Sequence, residues 1–429
     1  MPCPLAAPRG TPVSSAPVTV VGIGADGWPG LAPGSREALH HAEVIIGGPR
    51  QLALLPPDCA GERVAWPSPL RPAVPGLLAA HAGRRVCVLA SGDPMFFGIG
   101  RTLVDVLGDA DALRVLPHPS SASYACARLG WPLEETEVVS LVGRPPEALH
   151  AALHHGRRLL LLSAGAGTPA EVAAALSARG FGPSRMTVLE HLGGERERRV
   201  EGTADGWPHP PGDALNVIAV ECRRLPGAPR LPLTPGLPDE AFEHDGQLTK
   251  RHVRAVTLAT LAPAPGELLW DVGGGSGSIG VEWMRAHRTC RAVAVERDTV
   301  RAGRIARNAA ALGVPALRVV TGAAPAALAG LPTPDAVFIG GGLTAPGLLD
   351  ACWDALPPGG RLVANTVTLE SEALLTEYHR RHGGELTRLA VARAVPVGGF
   401  TGWRQAMPVT QWSVVRPAAG ATAEGATPA

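Results

Sequence analysis

Along most of the chain, short apolar runs rich in Val, Ile and Leu alternate with longer Ala/Leu-rich stretches whose apolar positions recur at helical spacing. From Val18 to Cys222 the strand-type runs include VTVVGIG, RRVCVLASGD, EVVSLVG, RRLLLLSA and NVIAVEC. Strand and helix in alternation predict an α/β domain over 18–222. Between Arg223 and Gly246 the pattern breaks into RRLPGAPRLPLTPGLPDE, a composition that sustains neither a helix nor an inner strand. A stiff, exposed connector is predicted there. A second series follows in ELLWDVGGGSGSIG, RAVAVERD, LRVVTGAAP, DAVFIGGG and RLVANTVTL, predicting a second α/β domain over 247–415. The two series share neither glycine spacing nor motif order, so two different folds are expected rather than a duplication. Residues 1–17 and 416–429, rich in Pro, Ala, Gly and small polar residues, are expected to be a disordered extension and tail.

Composition narrows the partners. The 429 residues carry 39 Lys plus Arg against 38 Asp plus Glu, so no overall field gathers nucleic acid or an anionic membrane. The 7 cysteines are scattered, odd in number and without a CxxC pair, which points away from zinc and from a disulfide framework and toward a reducing cytoplasm. No apolar run approaches the roughly 18 residues that a membrane span needs. Paired histidines at His40/His41 and His154/His155 lack ligand partners at useful spacing, and no metal site is expected.

The densest chemistry lies in Glu267–Glu282, ELLWDVGGGSGSIGVE. A buried strand runs into a turn containing Gly273, Gly274, Gly275, Ser276 and Gly277, and a helix opens near Ser278. Glycines let backbone approach a ligand closely, and the helix start offers free N–H donors, so a nucleotide-like ligand fits the crevice. The next strand ends in Glu296, about 25 residues beyond Asp271, where a carboxylate can accept from two ribose hydroxyls. This pattern serves nicotinamide cofactors as well as S-adenosylmethionine, and by itself permits an oxidoreductase or a dinucleotide-binding regulator. A packing turn and a solvated strand-end acid are the plainer alternatives. Thr249 is a candidate cap for a helix beginning at Lys250.

Further motifs accompany the loop in fixed order: Gln247–Lys250 (QLTK), Asp271–Gly280 (DVGGGSGSIG), Ile339–Gly342 (IGGG) and Asn365–Ser371 (NTVTLES). Together, from about Gln247 to Trp412, they resemble the C15-methylating, decarboxylating domain of corrin biosynthesis, which has a Rossmann-like class I methyltransferase fold. The resemblance implies S-adenosylmethionine as cofactor, held by Thr249, Gly273, Gly274, Gly275, Ser276, Gly277 and Glu296, with Ala324 against the adenine. Where relatives often carry an acid, this chain has Ala323.

The first series carries Val20–Gly27 (VVGIGADG), Ala90–Gly100 (ASGDPMFFGIG) and Pro119–Tyr124 (PSSASY). These resemble the two-lobed tetrapyrrole methylases, in particular the C5-methylating enzyme of the corrin pathway, over about Val18–Glu221. The resemblance implies that Gly92, Asp93, Ser120 and Ser121 line the methyl-donor cleft. The commoner GPG of the first turn is replaced by Gly24-Ala25-Asp26. Asp93 before Pro94 is also an ordinary turn signal, and Ser120 and Ser121 an ordinary helix start.

Taken as a whole, the chain resembles the fused family of decarboxylating precorrin-6Y C5,15-methyltransferases. That resemblance implies methylation of a precorrin tetrapyrrole at C5 and C15, loss of the C12 acetate carboxyl, and assembly as a homo-oligomer. No nucleic-acid or membrane partner is implied. A cobalt-containing precorrin or another small-molecule acceptor is the alternative. The many carboxylates of such a substrate call for cations, for which Lys250, Arg251, His252, Arg254, Arg393 and Arg404 are candidates.

Overall fold

The computed structural model describes residues 17–418, and the expected terminal extension and tail lie almost wholly outside that range. The described chain divides into two compact units, one built from residues up to Arg144 and from His155–Pro226, the other from Pro145–His154 and the residues from Gly227 onward.

The first unit holds two five-stranded sheets. β1 (Val18–Ile23), β2 (Val44–Gly47), β3 (Glu62–Ala65), β4 (Val86–Ser91) and β5 (Leu113–Leu116) form an all-parallel sheet in the order β3-β2-β4-β1-β5. The central strands β1, β2 and β4 are buried almost throughout, and Val, Ile and Leu fill both faces, as a sheet covered by helices on both sides requires. β6 (Glu137–Ser140), β7 (Arg158–Leu162), β8 (Arg185–Glu190), β9 (Arg198–Thr203) and β10 (Asn216–Glu221) form a mixed sheet in the order β6-β7-β10-β8-β9. Its edge strand β9 alternates exposed and half-buried residues, the mark of a strand with one wet face.

The second unit is a seven-stranded sheet in the order β13-β12-β11-β14-β15-β19-β16. Its strands are β11 (Leu268–Val272), β12 (Arg291–Glu296), β13 (Arg318–Thr321), β14 (Ala336–Ile339), β15 (Arg361–Thr366), β16 (Glu385–Leu389) and β19 (Val409–Val415). β11 to β15 pair in parallel and β19 runs antiparallel to both its neighbours. Strand order reverses at β11, flanked by β12 on one side and β14 on the other, so a ligand crevice is expected outside their carboxyl ends. β17 (Ala392–Val397) and β18 (Phe400–Gln405) make a separate hairpin with Phe400 and Trp403 exposed.

The connector departs from expectation at its end. Residues 225–227 and 232–235 are exposed as composition suggests, but Gly236 is buried, and Leu237 and Phe242 enter the core beside Leu258, Leu261 and Trp283. Pro and Gly mark a chain without regular structure, and they leave its apolar residues free to be buried.

Candidate functional site

In the first unit three loops meet because glycines allow them to. A Cβ on Gly22 of β1 would lie 2.0 Å from the Gly92 carbonyl oxygen and 2.7 Å from His118 N, so β1, the SGDP turn and the start of the PSS segment share one point. Around it opens a cavity of about 410 Å³, whose walls include Gly24, Ala25, Gly92, Ser120, Ser121 and Tyr124. Of the four residues expected to line a methyl-donor cleft, Gly92, Ser120 and Ser121 are among those lining this cavity. Asp93 is not; its carboxylate accepts the Met95 N–H at 2.8 Å, which is the turn role. Ser120 also caps the helix Ser121–Leu129, accepting the Ser123 N–H at 3.1 Å.

Beside the cavity lies a cluster that sequence reasoning missed. His118 Nε2 lies 3.1 Å from Asp26 Oδ2, and the Tyr124 hydroxyl donates to the same oxygen at 3.3 Å. Asp26 Oδ1 is buried without a partner. Burial, then the charge of Asp26 and the hydrogen bond to it, raises the pKa of the Tyr124 phenol. Asp26 and His118 are 92 residues apart, and the only signal was the Asp in place of the expected turn glycine.

In the second unit the glycine loop leaves β11 at the predicted place. Gly273 has φ +73°, and a Cβ there would fall 2.9 Å from the backbone N and O of Gly341, so the loops after β11 and β14 touch at the switch point. The Gly273 and Gly274 N–H groups donate to Val295 O, tying the loop to β12. The helix Ser278–Ala286 opens from Gly277.

Glu296 ends β12 with 5% exposure, which overturns the solvated-acid alternative. Its Oε2 accepts the Gly275 N–H at 2.9 Å and its Oε1 the Asp298 N–H at 3.0 Å. Two of its four acceptor positions remain for a ligand. Asp271 is buried in the strand below, where Oδ2 accepts the Gly280 N–H at 2.9 Å and Oδ1 has no partner. Burial raises the pKa of this carboxyl to about 7, the Gly280 hydrogen bond opposes the rise, and the Glu296 charge adds to it. Ser276 is almost fully buried, and its Oγ also lacks a partner. Ala324 packs on the apolar cluster beside the β11–β14 face, just past Gly322, whose N–H binds Glu296 O.

Thr249 does not cap the following helix. The helix Arg251–Leu261 has Lys250 at its N-cap with no side-chain cap, and the Thr249 carbonyl instead accepts from Arg254. Arg254, expected as a substrate contact, is fully buried. It pairs with Glu282 at 2.6 Å and Asp239 at 3.2 Å and binds the Leu237 carbonyl, while Glu282 also accepts the Gly236 and Leu237 N–H groups. This network anchors the end of the connector, and the guanidinium has no access to a ligand. Lys250, Arg251, His252, Arg393 and Arg404 are exposed. Arg393 and Arg404 face each other in register across the hairpin, and Arg393 reaches within 4.0 Å of Asp239. A buried polar set brackets the NTVTLES strand end: Asn365 Nδ2 donates to Thr257 Oγ1 at 2.8 Å, and Gln411 Nε2 donates to both side chains.

Two family models match the chain: tetrapyrrole (corrin/porphyrin) methylases over residues 17–206 and a precorrin methyltransferase domain over 240–416. A decarboxylating precorrin-6Y C(5,15)-methyltransferase from Sinorhizobium sp. is 51% identical over 400 residues, covering 92% of this chain and 95% of its own. A cobalt-precorrin-7 C(5)-methyltransferase from Salmonella typhimurium is 35% identical, covering 42% of this chain and 88% of its own. A probable decarboxylating cobalt-precorrin-6B C(15)-methyltransferase from Pyrobaculum calidifontis is 40% identical, covering 39% of this chain and 89% of its own. Half-identical to the Sinorhizobium relative along nearly the full length of both, the chain belongs to the family of decarboxylating precorrin-6Y C(5,15)-methyltransferases.

Proposed function

We propose that both units use S-adenosylmethionine, the first methylating a precorrin-6Y tetrapyrrole at C5 and the second at C15 with loss of the C12 acetate carboxyl. The observation that carries this is the pairing, in one chain, of two glycine-framed crevices beside strand ends, matched to two methylase families. When bound, the sulfonium supplies a methyl group already activated toward an electron-rich carbon.

What remains for the protein is to bind, orient and exclude water. In the second unit Glu296, braced by Gly275 and Asp298, offers its remaining acceptor positions to the ribose hydroxyls. The backbone of Gly273–Gly277 lies against the nucleoside, with Ala324 as the apolar surface for adenine and Thr249 at the mouth. The partnerless Ser276 Oγ and Asp271 Oδ1 fit a loop whose polar set is completed by a ligand or water. In the first unit Gly92, Ser120 and Ser121 frame the donor, and Tyr124, whose hydroxyl is held by Asp26, forms part of the same wall. Asp93 supports this indirectly by setting the turn that carries Gly92. The acetate carboxyl leaves as carbon dioxide and its bonding pair enters the conjugated macrocycle, so no side chain has to act as electron sink. Lys250, Arg251 and Arg404 meet substrate carboxylates.

Among the described residues no helix is long and apolar enough to cross a membrane, and the six described cysteines are free and buried. The free, buried thiols support a cytoplasmic enzyme. The exposed Val397, Phe400 and Trp403 of the hairpin support self-association.

The test is to introduce Gly273→Val in the full chain and to weigh the products made from precorrin-6Y. Loss of C15 methylation together with loss of carbon dioxide release is expected. Decarboxylation that persists in this variant would sink the assignment of both steps to one crevice.

A further inference from the structure

The cavity of the first unit has walls that are largely apolar, including Trp66, Leu70, Phe96, Ile99, Leu162 and Leu192. Among its lining residues one side chain is charged, Arg50. It stands in the short helix Pro49–Ala53 that follows β2, in a Gly-Gly-Pro-Arg-Gln segment singled out by no motif above. No carboxylate among the described residues pairs with it, and its side-chain hydrogen bond goes to a hydroxyl instead.

Arg50 is nevertheless held in place. Its Nη2 donates to Ser91 Oγ at 2.9 Å, and the neighbouring Gln51 Nε2 donates to the same oxygen at 2.9 Å. Ser91 closes β4 immediately before Gly92 of the donor turn. With both lone pairs taken, the Ser91 hydroxyl is left to donate its own proton. Gly48 makes room for the arrangement, since a Cβ there would fall 2.3 Å from Gln51 Oε1. Three donor-bearing side chains thus converge on one corner of an apolar cavity. The guanidinium uses one of its five N–H groups there, and because Arg50 keeps an exposed face the other four are open to a ligand.

We propose that Arg50, positioned by Ser91 and flanked by Gln51, is the carboxylate-binding subsite of this cavity. A planar guanidinium at the edge of a largely apolar cavity is suited to a bidentate carboxylate, and a bound carboxylate supplies the missing countercharge. Two ligands of the proposed reaction bring that group: the amino-acid end of the methyl donor and the acetate or propionate arms of the tetrapyrrole. The assignment rests on the reading of this unit as the C5-methylating one.

The experiment uses the full chain, Arg50→Met and Arg50→Lys. S-adenosylhomocysteine is titrated by calorimetry, precorrin-6Y by quenching of tryptophan fluorescence, and C5 methylation is followed by product mass. Loss of a charge-assisted contact should weaken the ligand concerned by about 10- to 100-fold in Arg50→Met, with partial recovery in Arg50→Lys. Weakening of one S-adenosylhomocysteine site assigns Arg50 to the donor carboxylate, and weakening of the tetrapyrrole alone assigns it to the acceptor. C15 methylation by the same molecules should be unchanged and reports that the chain is folded. Wild-type C5 methylation together with Arg50→Met affinities within twofold of wild type for both ligands overturns the subsite alone. A wild-type chain that forms no C5-methylated product overturns the reading of the cavity and the subsite with it.

Discussion

Replacing Glu296 by Gln separates bracing from binding. The carboxylate accepts two backbone N–H groups, from Gly275 at 2.9 Å and Asp298 at 3.0 Å, one on each oxygen. An amide has one oxygen, so its NH₂ must face one of those donors and leave it unpaired in a site 5% exposed. An unpaired buried donor costs ~1–3 kcal/mol. For a unit of this size that lowers the melting temperature by about 2–10 °C. On the proposed role of Glu296 as the ribose-binding acid, the same change removes that charge, a further loss of ~1.5–3 kcal/mol, or about 10- to 150-fold in affinity. Thermal unfolding of the full chain reads the first effect. Calorimetric titration with S-adenosylhomocysteine reads the second, with the first unit's site as internal reference. A lowered melting temperature with unchanged affinity would show that Glu296 only braces the loop, and an unchanged value in both would refute the hydrogen-bond account.

Asp271 carries a pH dependence. Its folded pKa of about 7 lies above the unfolded value of about 3.9, so the folded state holds the proton more tightly and the second unit loses stability as pH rises between those values. Asp271→Asn should flatten that slope in denaturant melts at several pH values; an unaltered slope would contradict the assignment. Arg254→Met strands the Glu282 carboxylate in the core and should destabilise the second unit by ~3–5 kcal/mol in urea unfolding, with a loss under 1 kcal/mol counting against the network. Arg404→Ala, exposed and unpaired among the described residues, should leave stability unchanged while weakening tetrapyrrole binding several-fold; unaltered binding removes it from the substrate contacts.

Legibility followed sequence distance. The loop after β11 was readable because strand, glycines and helix start are contiguous, and Glu296 because the next strand ends where a parallel pair must place it. The SGDP and PSS segments were readable as motifs, but that they meet depends on Gly22, whose need for a bare Cα appears only when Gly92 and His118 are seen against it. Asp26 with His118, and Arg50 with Ser91, are pairs joined by the sheet order β2-β4-β1-β5, which apolar runs alone do not specify. Arg254 misled because a cation beside a cofactor motif is compatible with either solvent or core. Its burial was decided by Glu282 and Asp239, which lie on separate segments. The Pro-rich connector misled similarly, since irregular backbone at Gly236 and Leu237 is satisfied by the Glu282 carboxylate rather than by water.

The most direct measurement is the mass of the product formed when the full chain is incubated with precorrin-6Y and S-adenosylmethionine labelled in its methyl group. Two labelled methyl groups gained and one carbon dioxide lost per tetrapyrrole is the predicted result. A product with labelled methyl groups but an intact C12 acetate, or an unchanged tetrapyrrole, would contradict the account.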